Sequence, residues 1–128
     1  MRSAPRHVDV LTYLFAVVFA YGTAVHLVQL AGGGGDPYPG APTAIAWFFV
    51  TLVVLDPLAA VLIARRRRIG LMLGATTLLL DSTANAVVNY PPYDPTGGVT
   101  AGRVGQAVVT ALAVLLVLAA PRLWRWYR

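Results

Sequence analysis

The sequence predicts an all-α integral membrane protein: a single antiparallel bundle of four transmembrane helices with the N and C termini cytoplasmic. Three observations predict it. Hydrophobic residues make up 58% of the 128 and charged residues 12%, where a soluble domain carries about 25% charged residues. The apolar residues fall into four runs, each near the roughly 20 residues a helix needs to cross a hydrocarbon core about 30 Å thick. The arginines are sorted between the ends of those runs.

Span 1 covers about residues 8–30 and follows Arg2 and Arg6. It is longer than the apolar region of a signal peptide, and no small-x-small cleavage site follows it, so it is expected in the mature chain. Span 2, about 43–64, holds Asp56 directly before Pro57. Proline has no N–H, so the carbonyl of Val53 loses its helical partner and a kink is expected. Only the run Arg65–Arg68 joins spans 2 and 3, which makes them a tight antiparallel hairpin. Span 3, about 69–90, is the most polar. Span 4, about 104–121, is followed by "RLWRWYR", where Trp124, Trp126 and Tyr127 among arginines read as an interfacial anchor. The remaining loops, "GGGGDPYPGAP" (Gly32–Pro42) and "YPPYDPTGG" (Tyr90–Gly98), share Asp-Pro, Tyr and Gly, a turn-forming set.

Nine of the ten arginines fall on one side of this arrangement, and only Arg103 falls on the other. The positive-inside rule makes the nine-arginine side cytoplasmic. Topology and anionic lipid headgroups account for the net charge of +5, so no nucleic-acid partner is expected. The expected location is the cytoplasmic membrane of a bacterium. All basic residues are Arg and all acidic ones Asp, a bias of GC-rich, actinobacterial-like genomes. The chain has no Cys, which excludes disulfides and thiol chemistry.

The segment "LLLDSTANAVVNY" (Leu78–Tyr90) carries most of the functional signal. A membrane span avoids Asp and Asn, yet Asp81, Asn85 and Asn89 recur every four residues. At 100° per residue they form one stripe about 80° wide, with Thr77 below. Thr12, Phe15, Phe19, Gly22, His26 and Gln29 share a face of span 1, and Arg103, Gln106 and Thr110 share one of span 4. A charged side chain at mid-bilayer costs about 2.5–3.5 kcal/mol even on insertion scales. The three stripes are therefore expected to converge inside the bundle. Counted by helical rise, Asp81 lies about 18 Å, Asn85 about 24 Å and His26 about 25 Å above the cytoplasmic edge. Asp56 lies lower, about 12 Å up. Its own stripe, Ile45, Phe49, Leu52, Ala60 and Ile63, is apolar, so Asp56 is expected apart from the other polar groups.

These residues point to a polar site in the outer half of the bundle for a membrane lipid or lipid-soluble small molecule. Asp81 and His26 are the candidate acid–base pair, suited to isomerisation or cyclisation. Asn85, Asn89, Gln106, Gln29 and Asp56 are candidate ligand-binding residues. Simple interhelical hydrogen bonding is the structural alternative. Two other functions use the same residues: an accessory subunit of a larger membrane complex, and a proton-coupled transporter working as a homodimer. No metal or cofactor is expected. His7 and His26 lie at opposite ends of one span, so they cannot ligate one haem, and one His with scattered Asp does not make a closed zinc site. Ser82 lies about 100° around the helix from Asp81, with no triad spacing.

The segments "YGTAVHL" (Tyr21–Leu27), "LDPLAA" (Leu55–Ala60) and "LLLDSTANAVVNY", set on four short spans, resemble the DoxX-like and EXPERA-like small membrane proteins. The resemblance implies a four-helix membrane fold. In EXPERA-like proteins acidic and His residues inside the bundle bind or isomerise sterol-like amphiphiles. It would place Asp56 at the acidic position of span 2 and His26 at the polar position of span 1.

Overall fold

The computed structural model describes residues 4–128, so Arg2 lies outside the described residues. It contains α1 (Arg6–Gly32), α2 (Thr43–Ala64), α3 (Arg68–Val88) and α4 (Ala101–Trp124). Each helix is long and apolar enough to cross a membrane, which is the mark of a multi-pass membrane protein. The expected spans 8–30, 43–64, 69–90 and 104–121 match these helices, but α4 starts three residues earlier and ends three later. At its start the physical reason is capping, which apolar counting does not register. The Thr100 hydroxyl accepts a hydrogen bond from the Arg103 amide at 3.2 Å and so sets the start of α4. Pro57 lies inside α2, which runs on to Ala64.

Consecutive helices pack antiparallel, and α1 meets α4 less extensively than the consecutive pairs meet. The main core lies toward the end of the bundle that carries both termini. Val8, Phe15 and Phe19 of α1 meet Ala113, Leu116, Ala119 and Leu123 of α4 there, with Ile63 and Leu71 between. A smaller core at the opposite end joins Phe49 and Leu52 of α2 to Ala84 of α3, with Tyr38 of the first loop packed on it. The outward faces are as apolar as the inside: Val17, Val54, Met72 and Leu118 are each at least 60% exposed. That distribution suits a lipid environment, where helix faces need no polar coat.

The termini end is clasped shut. The α2–α3 turn passes through Arg66 at φ +52°. The Arg68 amide donates to the carbonyl of Arg128, and the Arg128 amide donates to that of Arg66. Arg68 also donates Nε to the carbonyls of Trp124 (3.2 Å) and Tyr127 (3.0 Å), and its guanidinium lies 5.1 Å from the Trp124 ring centre. Arg66 pairs with Asp9. Two expectations are corrected here. Tyr127 is not an interfacial anchor but a 2% exposed core residue. Thr12, expected to join the polar site, lies at this end instead, with its hydroxyl 2.9 Å from that of Tyr127. The cause is the return of the chain after Trp124, which folds the tail back between α1 and α3.

Candidate functional site

The polar residues of the opposite half form a cluster on α1, α2 and α3. On α3, spacing of four residues stacks amide side chains over the preceding turn. Asn85 Nδ2 donates to the Asp81 carbonyl at 3.0 Å and to its carboxyl at 2.8 Å. Asn89 Nδ2 repeats the move onto the Asn85 carbonyl at 2.9 Å. Asp81 is buried.

Asp56 corrects the sequence reading. It is not isolated on an apolar stripe: its carboxyl lies 3.9 Å from His26 Nε2, and both residues are buried. The space for this carboxyl comes from Gly22, one turn below His26. A Cβ at Gly22 would stand 2.6 Å from Asp56 Oδ2. Helical rise put His26 and Asp56 roughly 13 Å apart in height, but side chains tilt toward the N-terminus of their own helix. On antiparallel α1 and α2 the two side chains therefore lean toward each other, and the register of the helices sets the Asp56 carboxyl against Gly22, one turn below His26. Asp81 completes the group from α3, within electrostatic reach of Asp56.

Phe49 covers the cluster. Its ring is stacked on His26, with centres 6.3 Å apart, and Tyr38 packs on Phe49 at 5.0 Å. The Tyr38 hydroxyl donates to Gln29 Oε1 at 3.3 Å. Burial, and after it the Asp81 carboxyl, pushes the Tyr38 phenol above its usual range. One atom of the cluster stands out. Among the described residues, His26 Nδ1 is buried with no hydrogen-bond partner within 3.5 Å, the Gln29 side chain being a looser polar neighbour of the ring.

The other candidates lie elsewhere. Gln106 does not join the Asp81 stripe. Its Nε2 donates to Thr110 Oγ1 at 2.9 Å, and that hydroxyl lies 2.6 Å from Ser82 Oγ. The reason is geometric: α3 turns Asp81 and Ala84 toward α2 and therefore turns Ser82 toward α4, so one stripe cannot serve both neighbours. Arg103, expected in the converging α4 stripe, instead holds the second loop. It donates Nε to the Asn89 carbonyl at 2.9 Å and Nη1 to the Gly98 carbonyl at 2.6 Å, donates Nη2 to the Thr96 carbonyl, and lies 4.6 Å from the Tyr90 ring centre. Asn89 is thus at the junction of α3 and this loop, its side chain against Gly102. Gln29 is exposed at the rim. Sequence reasoning missed Phe49 and Tyr38 as covering residues; an aromatic on the Asp56 stripe was the available signal. No group of three metal-ligating side chains forms among the described residues.

No protein-family profile, curated protein or solved structure matches this chain.

Proposed function

We propose that this is a multi-pass protein of the cytoplasmic membrane, with both termini inside, that binds the polar head of a small amphiphile through His26, Asp56, Asp81 and Asn85. The arginine distribution supports the orientation. The observation that carries the binding reading is buried His26, whose Nδ1 has no hydrogen-bond partner within 3.5 Å among the described residues and whose Nε2 faces the buried Asp56 carboxyl. A buried polar atom left unpaired costs about 1–3 kcal/mol, and native proteins keep few of them. A hydroxyl or amine of a lipid-soluble molecule would pair it. The same groups supply a proton donor and a proton acceptor within one water-poor site. The catalytic step they support is proton transfer on such a molecule, as in double-bond isomerisation.

Mass spectrometry of lipid extracted from purified protein tests this. A small amphiphile should accompany the wild type and fall by about ten- to a hundredfold in folded Asp81→Asn and Asp56→Asn variants, the loss expected for hydrogen bonds to charged groups. Equal amounts in all three would refute the site. The contact of Asp56 with His26 also favours a second reading, proton-coupled transport by a homodimer. Proton flux into liposomes that persists unchanged in both variants removes it.

A further inference from the structure

The two loops at the far end carry the same ingredients, Asp-Pro beside Tyr, and the fold brings them together. Between them lies a cavity of about 200 Å³ lined by Tyr38 and Tyr93, one from each loop, and by Phe49 of α2. The Asp residues build the turns that hold the tyrosines. Asp36 Oδ1 accepts from the Tyr38 amide at 3.3 Å, and Asp94 Oδ1 accepts from the Thr96 amide at 2.9 Å. Hydrogen bonds from the Thr96 side chain and amide, with a smaller contribution from Arg103, hold the Asp94 carboxyl below its usual range, so it is ionised at neutral pH. Among the described residues Arg103 is the cation bonded into the second loop, and it is engaged with three carbonyls and the Tyr90 ring.

Three aromatic rings around one space, with two carboxylates in the loops that shape it, make an electron-rich cage. Ring faces carry a negative quadrupole and attract cations, quaternary ammonium above all. The volume is below the roughly 300–1,000 Å³ of pockets for drug-sized ligands, so it fits a head group and not a whole amphiphile. We propose that this cavity receives a compact ammonium group, methylated or primary, between Tyr38, Tyr93 and Phe49. The site opens on the far side of the lid over the His26 cluster, with which it shares Phe49 and Tyr38. The ammonium could come from a free solute or a lipid headgroup, and the chemistry is the same.

Calorimetric titration of the protein in phosphatidylglycerol nanodiscs is the test, with choline and its uncharged carbon isostere dimethylbutanol as probes. Choline should bind about tenfold or more tightly than the isostere. Tyr38→Leu and Tyr93→Leu should each weaken choline about five- to tenfold, while Tyr38→Phe and Tyr93→Phe, which keep the ring, should hold near wild-type affinity. Equal binding of both probes, no choline binding to the folded wild type, or full affinity in the Leu variants would overturn the proposal. The comparison of the two probes on the wild type decides the matter even where a Leu variant does not fold. In phosphatidylcholine discs, loss of choline binding assigns the site to the lipid headgroup, and retention assigns it to a solute.

Discussion

Asp56 occupies space that only a residue without a side chain leaves open. Adding one methyl at Gly22 places it 2.6 Å from the carboxyl oxygen, and overpacking of this kind costs about 1–3 kcal/mol. Gly22→Ala should lower the stability of the protein in mixed micelles by that amount, and Gly22→Ala combined with Asp56→Ala should recover part of it. Additive losses would mean that the two residues do not touch. Tyr127 gives a pH-dependent counterpart. Burial raises its phenol above the ordinary 10.0, with the Thr12 hydrogen bond and the Arg66 charge opposing. Between the ordinary and the raised value the folded chain binds more protons than the unfolded one, so stability falls as pH rises. The contribution is complete below about pH 10 and is lost as pH climbs through the raised value. Tyr127→Phe should flatten the stability profile above pH 10 in alkaline titrations followed by circular dichroism, and an unchanged slope would contradict this account. At this scale the sequence revealed contacts within one helix and little else. The Asp81–Asn85–Asn89 ladder is fixed by spacing of four. The meeting of Asp56 with His26 depends on helix register and side-chain tilt, which no stripe encodes.

Elements were legible because apolar length and arginine runs mark spans directly, and α2 was read to its end residues. The partners of each face were not. Span 4 offered Arg103, Gln106 and Thr110 as one stripe, and the fold divides that stripe between the second loop and Ser82. A single sequence shows that a face is polar but not which neighbour it addresses. Arg103 organises the second loop through a planar fork of donors that a lysine cannot reproduce. Arg103→Lys should leave α4 intact and speed hydrogen exchange at the Thr96 amide and its neighbours by severalfold. Protection equal to the wild type would show that the loop holds its shape without the fork. Removing the cap by Thr100→Ala should cost about 1 kcal/mol, visible as fraying confined to the first turn of α4.

The whole molecule offers a clean test of orientation because it contains no cysteine. Gly97 has open space where a Cβ would stand, and Arg65 is exposed at the opposite end. A membrane-impermeant maleimide applied to intact cells should label the Gly97→Cys variant at once and the Arg65→Cys variant only after permeabilisation. The opposite pattern would invert the proposed topology. One feature of the packing reaches beyond the polypeptide. α1 and α4 share a core near the termini, but neither contributes to the apolar core at the far end. There Leu27, Val28, Val104 and Val108 are each close to half exposed or more. With the helices set in a bilayer as proposed, acyl chains would lie against them and would finish a wall that the described helices leave open. On that proposal tail length and saturation would bear on the fold, and a short-tailed detergent would remove a structural component as well as a solvent.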